Sequence, residues 1–353
     1  MESRLSSLQV LRALAAWTVV VHHWMQLVHD FKYRSILSEF FVKNGSFGVD
    51  IFFVVSGVVM AVSVRRTSDL DIGTFLKKRL IRIYPTYWIW LLATIICAQF
   101  WFVEGASPIT VAHLASSVTL IPSWFPSPEM RQYPLLPVGW TLYYEVCFYL
   151  LIGILLPLRR YSYVIWVAAC LLLLTLPGRF LASTPVFGTF WSYWKIREFS
   201  AGILIGSVFL PWLGRSTRNV RVVAATGMFL LTALTLFTPE ASVPLGKDAV
   251  LAASMVAAVI SIEEVFDRFL IFRPLILLGT WSYSTYLCHW ILIATASLVV
   301  KNFGSSWEPV VFVVAFAAIA AMSAASFHFV ESGNGTVLRR LFRRTLKKPS
   351  QWT

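Results

Sequence analysis

Ten long apolar segments follow one another along the sequence, and this succession restricts the fold more than any other feature. Hydrophobic residues make up 58% of the 353 residues, and charged residues make up only 13%. One bilayer span needs roughly 20 apolar residues, so ten spans account for almost all of the apolar content. Because the backbone inside a bilayer must satisfy its own hydrogen bonds, each segment is predicted to be a helix. The sequence therefore predicts an all-α, polytopic integral membrane protein.

The ten predicted spans are Leu8–Val28, Phe47–Val64, Tyr84–Val103, Trp140–Pro157, Tyr161–Leu176, Arg197–Leu213, Val220–Phe237, Ala249–Glu264, Leu275–Val300 and Pro309–Val330. No repeat or linker separates a second domain. We therefore predict one transmembrane domain over residues 1–335 and a basic cytoplasmic tail over residues 336–353.

The net charge of +13 does not indicate nucleic acid as a partner. The Arg and Lys residues occur in short clusters between apolar runs, which is the pattern that membrane topology requires, and they form no continuous basic face. The partner that this pattern predicts is the lipid bilayer. The four cysteines all lie within apolar stretches without CxxC spacing, which favours buried free thiols over disulfides or zinc ligands.

The orientation follows from the basic residues. With the N-terminus inside and ten alternating helices, about two thirds of the 30 Lys and Arg residues fall on the inner side, which favours a cytoplasmic location for both ends. The long connection Glu104–Gly139 then lies outside, and its apolar piece Ile109–Ile121 would invert the later helices if it were a span. We therefore expect a re-entrant or surface-lying segment there.

Ionisable residues within the predicted spans are candidates for function. Arg12 and His23 lie eleven residues apart in the first span, which places them about 16 Å apart on nearly the same face of a helix. The small side chains of Ala15, Ala16 and Val19 between them predict an open slot. An arginine that reaches the membrane surface and a histidine satisfied within the bundle remain the alternative.

Three other ionisable residues are predicted to share the depth of His23 in the membrane. These are Asp50, Glu145 and His289, from the second, fourth and ninth spans. A carboxylate beside a histidine selects its tautomer and raises its basicity, as a general base requires. A polar network that only holds the helices together is the alternative.

A basic cluster precedes the third span and contains Lys77, Lys78, Arg79 and Arg82. Arginine pairs bidentately with phosphate, so this cluster is a candidate site for a phosphorylated cytoplasmic ligand. A topology signal alone would also explain it. His328 and Glu331 have the spacing of a metal pair, but no third ligand is apparent, and we interpret them as a polar pair that ends the last helix.

With these motifs in this order, the sequence resembles the membrane acyltransferase-3 family of bacterial O-acyltransferases along essentially the whole chain. The motifs are Arg12 followed by His23, the run Phe47–Gly57, the run Lys78–Pro85, the run Trp140–Glu145, Arg197-Glu198-Phe199 with Gly202, and Gly279 with the run Ser282–Trp290.

The resemblance implies ten helices with cytoplasmic ends and the transfer of an acyl group, usually acetyl, from cytoplasmic acyl-CoA to a hydroxyl of a sugar or glycan precursor. It also implies that Arg12 and His23 are the essential pair. The run Trp140–Glu145 is most similar to exopolysaccharide-modifying members. Many members add a C-terminal esterase-like domain, whereas this chain ends in a short basic tail, so we expect the membrane domain or a partner to handle the acceptor.

These observations predict an O-acyltransferase of the bacterial inner membrane with no permanently bound cofactor or metal, and with acetyl-CoA or another acyl-CoA as donor. His23, oriented by Asp50 or Glu145, would act as general base, either in direct transfer or in an acyl-histidine relay. The predicted CoA-binding residues are Arg79, Arg82 and Arg12, and the predicted residues for the glycan or lipid-linked sugar are Trp140, Arg197, Tyr286 and His289, with Tyr286 as oxyanion donor. A proton-coupled transporter and a subunit of a polysaccharide export complex are the alternatives.

Overall fold

The computed structural model describes residues 5–32, 35–66, 71–98, 109–121, 133–175, 195–239, 242–243 and 246–332. Within these ranges every regular element is helical, which confirms the predicted all-α class. We number the helices in chain order as α1 Ser6–His29, α2 Ile36–Asn44, α3 Phe47–Arg66, α4 Ile72–Ala98, α5 Val111–Thr119, α6 Trp140–Leu155, α7 Tyr163–Thr175, α8 Lys195–Arg215, α9 Arg218–Phe237, α10 Lys247–Ser261, α11 Glu263–Arg268, α12 Arg273–Thr280, α13 Ser282–Phe303 and α14 Glu308–Ser326. A π-helical turn at Phe327–Glu331 continues α14.

Seven of the described helices are long and apolar enough to cross a membrane, namely α3, α4, α6 with its flanking turns, α8, α9, α13 and α14. They confirm a multi-pass membrane protein. Every other predicted span also coincides with a helix, but α7 and α10 have only 13 and 15 residues, and α1 carries Arg12 and two histidines. The total of ten spans and the cytoplasmic ends remain predictions. The predicted basic tail lies outside the described residues.

Two predicted spans differ from the observed helices. Helix α4 begins at Ile72, three turns before Tyr84, and continues through Pro85. A proline removes only its own N–H group, and a helix in a bundle tolerates that loss. The predicted ninth span is two helices, because the chain turns at Trp281 between α12 and α13.

Helix α1 packs against α3, α12 and α13 at the centre of the bundle. The predicted open slot beside Ala15 and Val19 is wrong, because α3 fills it at Gly48. A Cβ atom at Gly48 would lie 2.3 Å from the Ala15 carbonyl oxygen and 2.9 Å from Val19 Cγ2. Small residues in membrane helices bring backbones together, and here they admit a helix rather than a ligand.

Helices α3 and α8 make an equally close contact. A Cβ atom at Gly57 would lie 2.3 Å from the Phe199 carbonyl oxygen, and one at Gly202 would lie 2.1 Å from the Val54 carbonyl oxygen. Asp50, Val54 and Gly57 are spaced at i, i+4 and i+7, so they share one face of α3. That face is the one that meets α8, and this directs the Asp50 side chain to α8 instead of α1.

The connection before α6 enters the bundle, as the re-entrant alternative predicts. Tyr84, Tyr87 and Trp88 of α4 donate hydrogen bonds to the carbonyl oxygens of Thr119, Ser117 and Val118, at 2.6, 2.8 and 2.9 Å. These donors lie about 18–24 Å along α4 from its first residue. Helix α5 therefore ends beside the middle of α4, and α6 starts at a similar depth, since Gly139 lies beside the Tyr87 ring.

Several helix ends bring arginines together at one end of the bundle, which we name the basic end. Helix α3 finishes there with Arg65 and Arg66, and α8 finishes there with Arg215. Arg159, which follows α6, donates to the Arg65 carbonyl oxygen at 3.3 Å. The charge pattern predicts that the basic end is cytoplasmic.

Candidate active site

A cavity opens among α1, α3, α4, α6 and α13. Its volume of about 90 Å³ holds several waters, since one water needs roughly 10–15 Å³. Most of the exposed surface of its wall is apolar, although about half of its lining residues carry polar groups. The ionisable and hydroxyl side chains that line it are Arg12, Ser56, Arg82, Thr141, Glu145, Tyr149, Ser282, Tyr283 and Tyr286. Charged groups inside a membrane bundle mark ligand or ion sites, so this cavity is the leading candidate.

Arg12, Arg82 and Glu145 line this cavity. Glu331 lies close enough to interact with both arginines, and we name the four residues the arginine–glutamate cluster. Arg82 interacts electrostatically with both glutamates, and Glu331 interacts with both arginines. Glu145 accepts a hydrogen bond from the Tyr149 hydroxyl at 2.5 Å. Arg82 is solvent-exposed and lines the cavity, so a ligand there can reach its guanidinium group.

Sequence reasoning missed Glu331. The π-helical turn Phe327–Glu331 ends α14 and places the Glu331 carboxylate where the Ser284 hydroxyl donates to it. His328, which the sequence paired with Glu331, is exposed and lies near Trp281 with ring centroids 6.4 Å apart. His328 and Glu331 both lie in the turn that ends α14, but their side chains have different neighbours. No group of three or more metal-ligating side chains is found within the described ranges. A π turn changes the direction of following side chains, and spacing alone does not reveal it.

His23 and His289 lie together, as their predicted depth requires. Their rings stack with centroids 5.2 Å apart, and Trp290 meets the His23 ring edge-on at 5.1 Å. His289 is fully buried, and its Nδ1 atom donates to the Thr285 carbonyl oxygen at 3.1 Å. The Nε2 atom of His289 is buried without a hydrogen-bond partner among the described residues.

Gln26 is a second residue that the sequence analysis missed. Its side-chain oxygen lies 2.7 Å from His23 Nδ1, one helical turn further along α1. An amide oxygen only accepts, so this contact places a proton on Nδ1 and leaves the Nε2 lone pair of His23 for a base. His23 is only partly buried. His22 points elsewhere, with Nδ1 at 2.9 Å from the Phe41 carbonyl oxygen.

The predicted carboxylate partners of His23 lie in other places. Asp50 forms an ion pair with Lys195 of α8, and Lys195 Nζ also lies 3.4 Å from Glu198 Oε1. We name Asp50, Lys195 and Glu198 the Asp50 cluster. Glu145 points into the cavity. The predicted orientation of His23 by Asp50 or Glu145 is wrong in this geometry, because depth alone does not define the direction of a side chain.

Tyr286 separates the cavity from the two histidines. Its ring lines the cavity and lies 5.7 Å from the His289 ring. The Tyr286 hydroxyl donates to the Val138 carbonyl oxygen at 2.9 Å and accepts from the Thr141 hydroxyl at 3.1 Å. An oxyanion donor at Tyr286 would have to leave the Val138 carbonyl oxygen first.

Three other predicted site residues lie outside the lining of this cavity. Arg79 donates to the Ser63 hydroxyl at 2.7 Å, and its guanidinium lies 6.0 Å from the centre of the Tyr149 ring. Trp140 begins α6 and meets the Tyr144 ring at 5.9 Å. Arg197 is exposed near the start of α8. The structure therefore joins Arg12, Arg82, Glu145 and Tyr286 at one cavity and His23 with His289 beside it.

A helical bundle with several membrane-crossing helices, a charged cavity and two histidines beside that cavity defines a polytopic membrane protein with a candidate site inside the bundle. The sequence profile of the acyltransferase-3 family, described as an acyltransferase domain, matches residues 5–327. The chain belongs to this family. The predicted membrane O-acyltransferase is thereby confirmed, and the transporter and export-subunit alternatives are set aside.

Several curated relatives are similar to this chain. The exopolysaccharide production protein ExoZ of Rhizobium meliloti is 31% identical over 260 residues, which cover 72% of this chain and 78% of that protein. BcsY of Komagataeibacter xylinus is 26% identical over 72% of this chain and 68% of its own length. The peptidoglycan O-acetyltransferase OatA of Listeria monocytogenes is 25% identical over 92% of this chain, which spans 55% of that relative. No solved structure matches the chain.

Proposed function

We propose that this protein transfers an acetyl group from cytoplasmic acetyl-CoA to a hydroxyl of an exopolysaccharide or other glycan precursor at the bacterial inner membrane. The observation that carries the proposal is the arrangement along α13. Tyr283 lines the cavity, Tyr286 closes it, and His289 stacks on His23, with about 4.5 Å of helix rise between successive members of the series. A donor from the basic end and an acceptor from the opposite end would meet at this series.

The donor side rests on the two arginines of the cavity. Guanidinium groups match the geometry of phosphate oxygens, and acyl-CoA carries several phosphates. Arg82 is exposed and lines the cavity together with Arg12. The hydroxyls of Tyr149 and Tyr283 further in are suited to the amide groups of the pantetheine arm. Glu145 and Glu331 balance the positive charge of the two arginines until a phosphate takes the place of the glutamates.

The chemistry rests on His23. Its Nε2 atom accepts the proton of the acceptor hydroxyl while that oxygen attacks the thioester carbonyl carbon. The C–S bond then breaks, and the proton passes from the imidazolium to the CoA sulfur, so an ester and free CoA are formed. Gln26 holds the required tautomer of His23. Tyr286 would turn from Val138 to the carbonyl oxygen and stabilise the oxyanion.

The proposed class of acceptor is inferred from the names of the relatives. ExoZ is named for exopolysaccharide production and OatA for O-acetylation of peptidoglycan, so both relatives act in glycan pathways. His23 is partly accessible, and the re-entrant segment that carries Val138 reaches Tyr286 from the predicted outer side.

His23→Ala and His22→Ala form the matched test. His23→Ala should reduce transfer of labelled acetyl from acetyl-CoA to surface polysaccharide by about 10²- to 10⁴-fold, which is the usual contribution of a general base. His22→Ala should keep most of the activity, because the His22 side chain points to the Phe41 carbonyl oxygen and the Phe31 ring. Mass spectrometry of O-acetyl groups on polysaccharide from cells with each variant supplies the readout. Equal losses from both variants would contradict the assignment of the base.

A further inference from the structure

A second cavity lies at the basic end, between the final turns of α3 and α8. Its volume is about 510 Å³, within the usual range for ligand pockets. Three arginines line it, Arg65 and Arg66 from α3 and Arg215 from α8, together with apolar side chains such as Val62 and Leu210. The acyltransferase proposal does not use this pocket, and none of its lining residues borders the first cavity.

The charged side chains that line this pocket are all positive, whereas those that line the first cavity include both signs. Glu145 lines the first cavity with its two arginines, and Glu331 interacts with both of them, whereas no acidic side chain of the described residues lines the second. Arg159 adds a further positive charge, because it donates to the Arg65 carbonyl oxygen at 3.3 Å. Arginines that converge from two helices attract an anion, and their planar forks suit a phosphate.

The pocket is built around an irregular part of α8. A π-helical turn occupies Ile205–Phe209, and Arg65 donates to the Ser207 carbonyl oxygen at 3.4 Å. The Tyr163 hydroxyl lies 3.0 Å from the Ser207 hydroxyl, and the Arg65 guanidinium lies 5.6 Å from the centre of the Tyr163 ring. Helix α7 therefore holds Arg65 in position, and π turns of this kind are frequent at functional sites.

The surroundings of the arginines suit both the charged headgroup and the apolar acyl chains of a phospholipid. Val62, Leu210 and Pro211 line the pocket, and the exposed Trp212 and Val208 lie on the same helix. Tryptophan is enriched at the membrane–water interface, which is where the final turns of two spanning helices lie. We propose that this pocket binds the phosphate group of an anionic phospholipid whose acyl chains lie along α8. Basic pockets between membrane helices on the cytoplasmic side have this property in general.

The same phosphate chemistry could come from CoA or inorganic phosphate, so the test compares these sources. Native mass spectrometry of the detergent-purified protein with added phosphatidylglycerol or phosphatidylcholine measures the lipid preference. The parent protein should retain phosphatidylglycerol, and neither CoA nor inorganic phosphate should displace it. Displacement of the lipid by CoA or phosphate in the parent would overturn the assignment to lipid.

The double variant Arg66→Gln/Arg215→Gln should bind phosphatidylglycerol about 30-fold more weakly, because each arginine near the surface contributes about five-fold. Arg273→Gln is the matched control, since Arg273 is exposed at the start of α12 and does not line the pocket. It should bind lipid as the parent does. Equal binding by parent and double variant would show that these arginines serve only membrane topology.

Gly214→Trp is a second test variant, which is needed if the loss of two arginines disturbs membrane insertion. A Cβ atom at Gly214 meets nothing within 4 Å, so a large side chain enters the pocket without changing any charge. This variant should insert normally and lose phosphatidylglycerol by a similar factor. Retention of the lipid at parental affinity by Gly214→Trp would also overturn the proposal.

Discussion

The arginine–glutamate cluster and the Asp50 cluster both place charge within the helix bundle, yet they differ in what surrounds them. The arginine–glutamate cluster borders a cavity, and Arg82 is solvent-exposed. Asp50 and Glu198 are 3% and 0% exposed, and Lys195 lies between them. Charges that border a cavity have room for a ligand, whereas the charges between α3 and α8 are enclosed and pair mainly with one another.

An ionisable residue in a membrane helix does not by itself indicate catalysis. Asp50 belongs to a family-like motif and lies at a plausible depth, but its partner is a lysine on the adjacent helix. We infer that the Asp50 cluster joins α3 to α8 and that the arginine–glutamate cluster receives the donor. Variants of the Asp50 cluster should therefore change stability, whereas variants of the arginine–glutamate cluster should change ligand binding.

The largest effect is expected from the enclosed cluster. Lys195→Met leaves two buried carboxylates without their cation, and removal of one partner from a buried ion pair costs about 3–5 kcal/mol of unfolding free energy. Thermal unfolding in detergent should show this as a clear fall in Tm. The triple variant Asp50→Asn/Lys195→Met/Glu198→Gln removes all three charges and should recover much of the stability. An unchanged Tm in Lys195→Met would show that the cluster does not hold the helices together.

A smaller effect, confined to ligand binding, is expected from the open cluster. Arg82→Lys keeps the charge that topology needs but loses the planar fork. The loss of one charge-assisted hydrogen bond, worth about 1.5–3 kcal/mol, should weaken acyl-CoA binding by roughly 10- to 150-fold with an unchanged Tm. Arg79→Lys is the matched control, because Arg79 lies on the same helix and does not line the cavity. Isothermal titration with acyl-CoA supplies the measurement, and parental affinity in Arg82→Lys would move the phosphate site away from Arg82.

The smallest effect has the opposite sign. Glu331→Gln removes a negative charge that interacts with both Arg12 and Arg82. Because a like charge beside a bound phosphate is unfavourable, acyl-CoA should bind about ten-fold more tightly, a gain of about 1.4 kcal/mol. His328→Gln on the same turn should have no effect, since that side chain is exposed. Weaker binding in Glu331→Gln would mean that Glu331 orders the arginines for the donor.

Helical periodicity and topology rules were sufficient to predict the position of much of the candidate site. They predicted that His23 and His289 share a layer, and the two rings are stacked. Arg12 and Arg82 were predicted to bind the same CoA molecule, and both line one cavity. These predictions depend on rise per residue and on helix direction, which are the same in every membrane bundle.

The partners within each layer could not be predicted in the same way. Asp50 meets Lys195 because the face that it shares with Gly57 contacts α8, and Glu331 reaches Ser284 because a π turn changes its direction. Both outcomes depend on helix rotation and neighbour choice. Hydropathy carries little information on either, since these helices are apolar on most sides.

The class of protein, the approximate position of most helices and the layer shared by His23 and His289 could be predicted from sequence, because a bilayer imposes helical backbone, span length and charge asymmetry on any chain. Which charges face a cavity and which are enclosed depends on the tertiary structure. The physical reason is that close contacts, such as Gly48 on Ala15 and Gly57 on Gly202, set the rotation of each helix, and rotation decides where a side chain at a given depth will point.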